Sequence, residues 1–141
     1  MSASFIPLPS TARFGWPPGS DKGLAELDAV ALVHCEDEAI IDSILHRMGS
    51  EERGKMGSLA QARPPICEGA AIDQVAYLAG KTRVRTHIVH VSSVLGLTAV
   101  KRAKARGLNL TAETCPQYLL LTEAAYERAN GHLFSASPAL R

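Results

Sequence analysis

Apolar runs alternate with amphipathic segments along the chain from about residue 30 onwards. The run Val30–Val33 ends at His34, and we predict a buried strand over residues 30–34. Negative charge at Glu36, Asp37 and Glu38 would lie in the first turn of a following helix, where the macrodipole favours it. The apolar face of that helix recurs at helical spacing before Gly49, with Ile40, Ile41, Ile44, Leu45 and Met48. The pattern therefore predicts a strand followed directly by a helix.

The same order of strand and helix repeats further along the chain. Residues 50–65 are polar and rich in glycine and proline, so we predict a long loop near the rim of a site. The later apolar patterns predict a helix ending at Gly80, a strand over residues 87–91, a helix ending near Gly107, a strand over residues 108–112 and a helix over residues 122–129. This alternation predicts right-handed βαβ units with a parallel sheet, which is an α/β fold.

The first 22 residues differ from the rest of the chain. Four prolines and two glycines interrupt them, which excludes a regular helix or a central strand (Pro7, Pro9, Gly15, Pro17, Pro18 and Gly19). We therefore predict an irregular lead-in over residues 1–22 and one folded domain over residues 23–141.

Composition limits the classes of function. The 141 residues are 46% hydrophobic, which is enough for the core of a single domain, and the net charge is only +1. A net charge this small does not create the positive electrostatic field that attracts nucleic acid or an anionic membrane. We therefore expect neither of these partners. The apolar runs are too short to span a bilayer and no signal segment is recognisable, which predicts a cytoplasmic protein. The three cysteines form no CxxC pair, and we expect reduced thiols.

Two histidines occupy equivalent positions at the ends of predicted strands. His34 ends the run VALVH, and His90 ends the run THIVH. The carboxyl ends of parallel strands meet at one edge of a sheet, and a neutral imidazole on a rigid strand is a good ligand for zinc. A single histidine of this kind is more often part of a core edge, but two at matching places favour a metal site.

Other candidates for chemistry are weaker. Cys115 with His132 could form a thiol nucleophile and its base, but a small buried thiol is the more common state of such a cysteine. Glu113 could act as an acid or base, or could bind neighbouring loops at a strand end. We expect His46 and His132 to face solvent and His87 to begin its strand. No catalytic residue is assigned.

Five sequence blocks carry a family resemblance. They are VHCEDEAI from Val33, RPPICEGAAI from Arg63, HIVHVSS from His87, AETCPQYLLLT from Ala112, and SPALR from Ser137. In this order and approximate spacing they resemble the cyclic amidohydrolases, which include hydantoinases, dihydropyrimidinases, allantoinases and dihydroorotases. The resemblance runs from about residue 30 to residue 141.

The resemblance implies a TIM-like (β/α)8 barrel with a binuclear metal centre, commonly zinc, that hydrolyses a cyclic amide with a metal-acidified water. By motif, His34 matches the metal ligand that ends strand five and His90 the ligand that ends strand six. Ser137 matches the serine whose backbone groups hold the substrate ring in hydantoinases. The family's HxH pair, carboxylated lysine and metal-binding aspartate have no counterpart in this sequence.

Length leads to the same expectation, because a full barrel needs roughly 250 residues. We therefore expect a partial barrel of about three parallel βα units, corresponding to strands five to seven, that is inactive alone and self-associates through exposed strand edges. The substrate class is a hydantoin or dihydropyrimidine, with an allantoinase or dihydroorotase type as the alternative. A second alternative is a non-catalytic homologue that acts as an assembly subunit.

Overall fold

The strands form one parallel sheet. The computed structural model describes the backbone of residues 3–5 and all of residues 29–141. Its four strands follow one another across the sheet in chain order, and every pairing is parallel. They are β1 (Ala3–Phe5), β2 (Val30–Val33), β3 (Arg85–Ile88) and β4 (Leu110–Ala112). A sheet of this kind puts the carboxyl ends of neighbouring strands side by side at one edge.

Helical segments connect the strands. The α-helices are α1 (Glu38–Arg47), α2 (Ser50–Arg53), α3 (Ser58–Ala62), α4 (Pro65–Thr82), α5 (Val94–Ala105) and α6 (Pro116–Leu120), and the 3-10 segments are Glu123–Glu127 and Gly131–Phe134. Asp37 caps α1, since its carboxylate accepts a hydrogen bond from the Ile40 amide at 3.1 Å. None of the helices within residues 29–141 combines the length and apolar character needed to cross a bilayer.

The main core lies between the sheet and the helix pair α4 and α5, which pack against each other. The largest side chains fully buried there are Ile72, Val75, Ile88 and Leu110. Each contributes about 1.5–3 kcal/mol of stability through removal of its apolar surface from water. This core fixes β3 and the start of α5, and thereby the segment between them that carries His90.

The predicted α/β class and its parallel βα units are confirmed, as are the strand after residue 29 and the helix that follows it. The predicted loop over residues 50–65 is wrong in part, because α2 and α3 form inside it. Pro64 and Pro65 suggested a continued loop, but Pro65 is the first residue of α4. Proline suits that position because its missing N–H would have no partner in the helix anyway.

Other elements also differ from the prediction, among them β4, which is Leu110–Ala112 instead of residues 108–112. Strand β3 covers residues 85–88 instead of 87–91. It begins two residues earlier than predicted, and it cannot extend through His90, whose φ of 43° is incompatible with a strand. The predicted helix over residues 122–129 is a 3-10 segment, and α6 was not predicted. Within the predicted irregular lead-in, Ala3–Phe5 pairs with β2, and residues 1–2 and 6–22 lie outside the described residues.

Candidate metal centre

The side chains of His34 and His90 meet beyond the carboxyl ends of two adjacent strands. His34 directly follows β2, and His90 lies two residues after β3. The Nδ1 atom of His34 is 3.0 Å from the Nε2 atom of His90. The ring centroids are 4.8 Å apart, and the ring planes are inclined by 68°. The two predicted ligands are therefore together, and each turns a ring nitrogen toward the space between them.

The backbone around His90 is held on both sides. Its φ of 43° lies in the left-handed region that a non-glycine residue seldom adopts. The preceding amide, that of Val89, donates to the Val33 carbonyl at 3.2 Å, and the following amide, that of Val91, donates to the Glu113 carbonyl at 2.8 Å. These bonds to segments at the ends of β2 and β4 maintain the bend that turns the imidazole toward His34.

A buried carboxylate fixes the segment that follows His90. Glu68 of α4 is 2% exposed. It accepts hydrogen bonds from the Ser92 amide and hydroxyl, both at 2.8 Å, and from the Ser93 hydroxyl at 2.5 Å. Ser93 in turn caps α5, since its hydroxyl accepts a hydrogen bond from the Gly96 amide at 3.0 Å. Glu68 therefore ties the His90 segment to the core.

A second buried carboxylate lies on the other side of His34. The Oε2 atom of Glu36 is 3.5 Å from His34 Nε2 and 3.6 Å from Arg63 Nε, and its Oε1 accepts a hydrogen bond from Arg141 Nη2. Burial opposes ionisation of Glu36, but the contact with His34 and the charges of Arg141 and Arg63 together hold its pKa below the ordinary value. Glu36 is therefore a carboxylate at neutral pH.

Electrostatics also favour a neutral imidazole at His90. Burial of the ring, and then repulsion from His34, lower the pKa of His90 below its ordinary value of 6.5. A neutral ring keeps a lone pair for coordination. The neighbouring thiol of Cys35 is a poorer ligand, because burial and the charge of Glu68 raise its pKa and its sulfur faces the Val33 carbonyl at 3.9 Å.

Ser137 begins the segment that leads to Arg141. Ser137 itself is exposed, and its bond to Pro138 is cis. The Tyr118 hydroxyl donates to the Pro138 carbonyl at 2.7 Å, and the Leu140 amide donates to the Tyr126 hydroxyl at 2.8 Å. These bonds anchor the segment, but they do not show a substrate, so the role of Ser137 in substrate binding stays a prediction.

The remaining candidates lie apart from this pair. His87 is inside β3, with Nδ1 2.7 Å from the Thr111 hydroxyl and Nε2 3.6 Å from Glu113. His46 is exposed and contacts the backbone of its own helix, and His132 is also exposed. Cys35, Cys67 and Cys115 are free thiols, as expected.

Comparison with known proteins identifies the architecture. The allantoinase of Salmonella paratyphi B is 36% identical over 118 residues, which are 84% of this chain and 26% of that enzyme. The crystal structure of dihydropyrimidinase from Brevibacillus agri superposes with a TM-score of 0.84 at 28% identity, covering 99% of this chain and 31% of that one. The L-hydantoinase of Arthrobacter aurescens gives a TM-score of 0.76 at 26% identity over 86% of this chain and 27% of its own.

The chain belongs to the cyclic amidohydrolase family. It spans between a quarter and a third of the length of these amidohydrolases, which agrees with the predicted partial barrel. No family model matches the chain.

The histidine pair fits part of an amidohydrolase metal site. Two nitrogens that bind one zinc ion at about 2.0–2.1 Å with tetrahedral angles lie about 3.3 Å apart, close to the separation of the two imidazole nitrogens here. In the part of the chain that the structure describes, no group of three or more His, Cys, Asp or Glu side chains is arranged to hold a metal. His34 and His90 therefore bring two nitrogen donors together, and in the described residues no third such side chain completes a metal site.

Sequence reasoning missed the residues that surround the pair. Glu36, Glu68 and Arg141 all lie inside the family blocks, but their contacts join positions far apart in the chain. Arg141 and Glu36 are separated by 105 positions, and Glu68 and Ser92 by 24. One signal was available: charged residues inside otherwise apolar, folded segments must find partners.

Proposed function

We propose that this chain supplies two metal ligands, His34 and His90, to a zinc-dependent hydrolase of cyclic amides, and that it is inactive alone. The observation that carries the proposal is the 3.0 Å approach of His34 Nδ1 to His90 Nε2 at the carboxyl edge of a parallel sheet. Membership of the cyclic amidohydrolase family supports it. When bound in such a site, the metal acidifies the attacking water and polarises the amide carbonyl.

The residues of this chain would contribute positioning. The two imidazoles offer neutral nitrogen donors, and the strands β2 and β3 hold them in fixed register. The segment from Ser137 to Arg141, anchored by the two tyrosine hydroxyls, would present backbone groups to a cyclic amide. A hydantoin or dihydropyrimidine is the substrate class we favour, and the similarity to an allantoinase keeps that substrate type as the alternative.

Titration of the purified chain with Zn²⁺ tests the metal site. We expect weak binding, because two imidazoles provide only half of a tetrahedral ligand set, and we expect His90→Ala to abolish it. His46→Ala is the matched control, since this exposed histidine on α1 lies apart from the pair and its loss should leave zinc binding unchanged. Equal binding by the wild type and His90→Ala would contradict the assignment.

Hydrolysis assays with hydantoin, dihydrouracil, allantoin and dihydroorotate test the remainder of the proposal. We expect no turnover of any of them by the chain alone. Zinc-dependent turnover that His90→Ala removes would overturn the proposed inactivity and would identify the substrate. A non-catalytic role in assembly is the second candidate, and the apolar side chains exposed on α5 and α6, among them Val94, Leu119 and Leu120, favour self-association.

A further inference from the structure

We propose that Glu36, held by Arg63 and Arg141, is a positioning residue that fixes the tautomer of His34 so that Nδ1 is the coordinating atom. The inference rests on the proposed function, since it takes His34 as a metal ligand. It adds an outer partner to that site: a carboxylate that orients a ligand without itself touching the metal or the substrate.

The two nitrogens of His34 face different neighbours. Nδ1 is 3.0 Å from His90 Nε2, and Nε2 is 3.5 Å from Glu36 Oε2. A neutral imidazole carries one N–H and one lone pair, and a carboxylate can only accept. The N–H of His34 is therefore favoured on Nε2, toward Glu36, which leaves the lone pair of Nδ1 directed at His90. In the metal-free chain that lone pair accepts a hydrogen bond from the Nε2–H of His90.

The opposite tautomer would be costly in this environment. With the proton on Nδ1, the Nε2 lone pair would face the negatively charged Oε2 atom of Glu36. Glu36 is 8% exposed, so little solvent is present to screen the repulsion. A ligating histidine that gives its second N–H to a carboxylate is a common arrangement at metal sites, where the carboxylate fixes both the tautomer and the ring orientation.

The charges around Glu36 are difficult to explain by stability alone. The Arg141 side chain is 4% exposed, and its Nε and Nη1 atoms have no hydrogen-bond partner in the described structure. Well-packed apolar residues often stabilise a fold as well as a buried ion pair does, and unpaired buried donors add a further cost. The ion pair of Glu36 with Arg141 instead keeps an ionised carboxylate in a fixed position beside His34, and a fixed tautomer of His34 requires such a carboxylate.

Two readouts on the full 141-residue chain test the inference: the tautomer of His34, from imidazole ¹H–¹⁵N correlation spectra without metal, and the Kd for Zn²⁺ from calorimetry. The main variant is Glu36→Gln, because an amide can either donate or accept and so satisfies both tautomers. The double variant Glu36→Met with Arg141→Met removes both charges together and preserves apolar packing if the single variant fails to fold. Far-UV circular dichroism reports folding.

The matched control is Glu113→Gln. Glu113 lies 3.6 Å from His87 Nε2, so this variant removes a similar histidine–carboxylate contact away from the His34 and His90 pair. The Glu113 backbone carbonyl, which accepts a hydrogen bond from the Val91 amide, is unchanged by this substitution, so the His34 tautomer and the zinc Kd should stay at wild-type values. A general effect of losing one negative charge would appear in both variants, whereas a positioning role appears only at Glu36.

We expect the wild-type His34 ring to carry its proton on Nε2, and Glu36→Gln to give a mixture of tautomers with a Kd for Zn²⁺ raised by about 10- to 100-fold. A wild-type His34 protonated on Nδ1 would overturn the inference. So would folded Glu36 variants that keep both the tautomer and the Kd. If the wild type binds no zinc, the proposed function fails, but the metal-free spectra still decide the role of Glu36.

Discussion

Gly96 of α5 lies so close to the carboxylate of Glu68 that a Cβ atom at position 96 would overlap it. The contact exists because Glu68 reaches from α4 to the start of α5, where it accepts hydrogen bonds from Ser92 and Ser93. We expect Gly96→Ala to lower the free energy of unfolding by about 1–3 kcal/mol, since the added methyl must displace a buried, hydrogen-bonded group. Urea denaturation measures this change.

Gly49→Ala is the control for that substitution. Nothing lies within 4 Å of a Cβ atom at position 49, and the φ of −65° there suits alanine. Its free energy of unfolding should stay close to that of the wild type. A loss at Gly49 as large as the loss at Gly96 would show that crowding against Glu68 is not the cause.

Glu68→Gln tests the carboxylate itself. An amide has only one acceptor oxygen, so it cannot replace both carboxylate oxygens. If that oxygen keeps the contacts with Ser92, the NH₂ group faces the Ser93 hydroxyl, which then loses the acceptor for its own proton in a buried site. We expect the free energy of unfolding to fall by about 1–3 kcal/mol. Glu51→Gln, on the exposed surface of α2, should change it by less than about 0.5 kcal/mol. Similar denaturation midpoints for the two variants would contradict this account.

The depressed pKa of His90 predicts a pH dependence of stability. Its pKa in the folded chain lies below the ordinary value of 6.5, because burial and the charge of His34 disfavour the imidazolium form. As the pH falls, the imidazole at position 90 is protonated at a higher pH in the unfolded chain than in the folded chain. The unfolded chain therefore binds more protons, and a falling pH shifts the equilibrium toward it. The stability that the neutral His90 ring contributes to the folded chain is fully present above about pH 6.5 and is lost as the pH falls from there through the pKa of His90 in the folded chain.

We therefore expect His90→Gln to reduce the loss of stability between about pH 7 and pH 5, as followed by urea midpoints across that range. His132→Gln, at an exposed histidine, should keep the wild-type dependence. An unchanged pH dependence in His90→Gln would refute the assignment of that dependence to His90.

The exposed leucines of α6 predict self-association. Leu119 and Leu120 are 73% and 81% exposed, and Leu119 lines a cavity of about 320 Å³ together with residues of α5 and of the β4 end. We expect replacement of both by glutamine to shift the protein toward the monomer in size-exclusion chromatography with light scattering. Leu133→Gln removes an equally exposed leucine, 71% exposed, from a different segment and should leave the size distribution unchanged. If only Leu133→Gln shifted the size distribution toward the monomer, the association surface would not include α6.

The sequence was sufficient for the alternation of β2, β3 and β4 with α1, α4 and α5, and for the presence of the two histidines at neighbouring strand ends. Val30–Val33 is apolar throughout, as expected for a strand in a parallel sheet, and the carboxyl end of such a strand is a known place for a ligand. Parallel pairing predicts that the ends of β2 and β3 lie side by side, but the close approach of His90 to His34 also depends on the bend at His90, whose φ is 43°.

Local exceptions to the patterns caused the errors. Arg85 and Thr86 are polar and lie outside the apolar part of the run, yet β3 begins at Arg85 and Thr86 is buried. Pro65 suggested a loop because proline interrupts helices, although at the first helical position it is compatible with one. The Glu36 contacts were missed since they depend on how Arg63 and Arg141 fold back over the strand ends, which local periodicity does not encode.

The left-handed backbone of His90 has a consequence for protein engineering. In a regular strand the side chain at this position would follow the alternation of the pleat, whereas the bend directs the ring sideways, toward the neighbouring strand. Copying the two imidazoles onto another parallel sheet would therefore not reproduce the approach of their nitrogens. A designer would have to transplant the turn with its flanking amide bonds and select histidine, asparagine or glycine there, because branched side chains tolerate that conformation poorly.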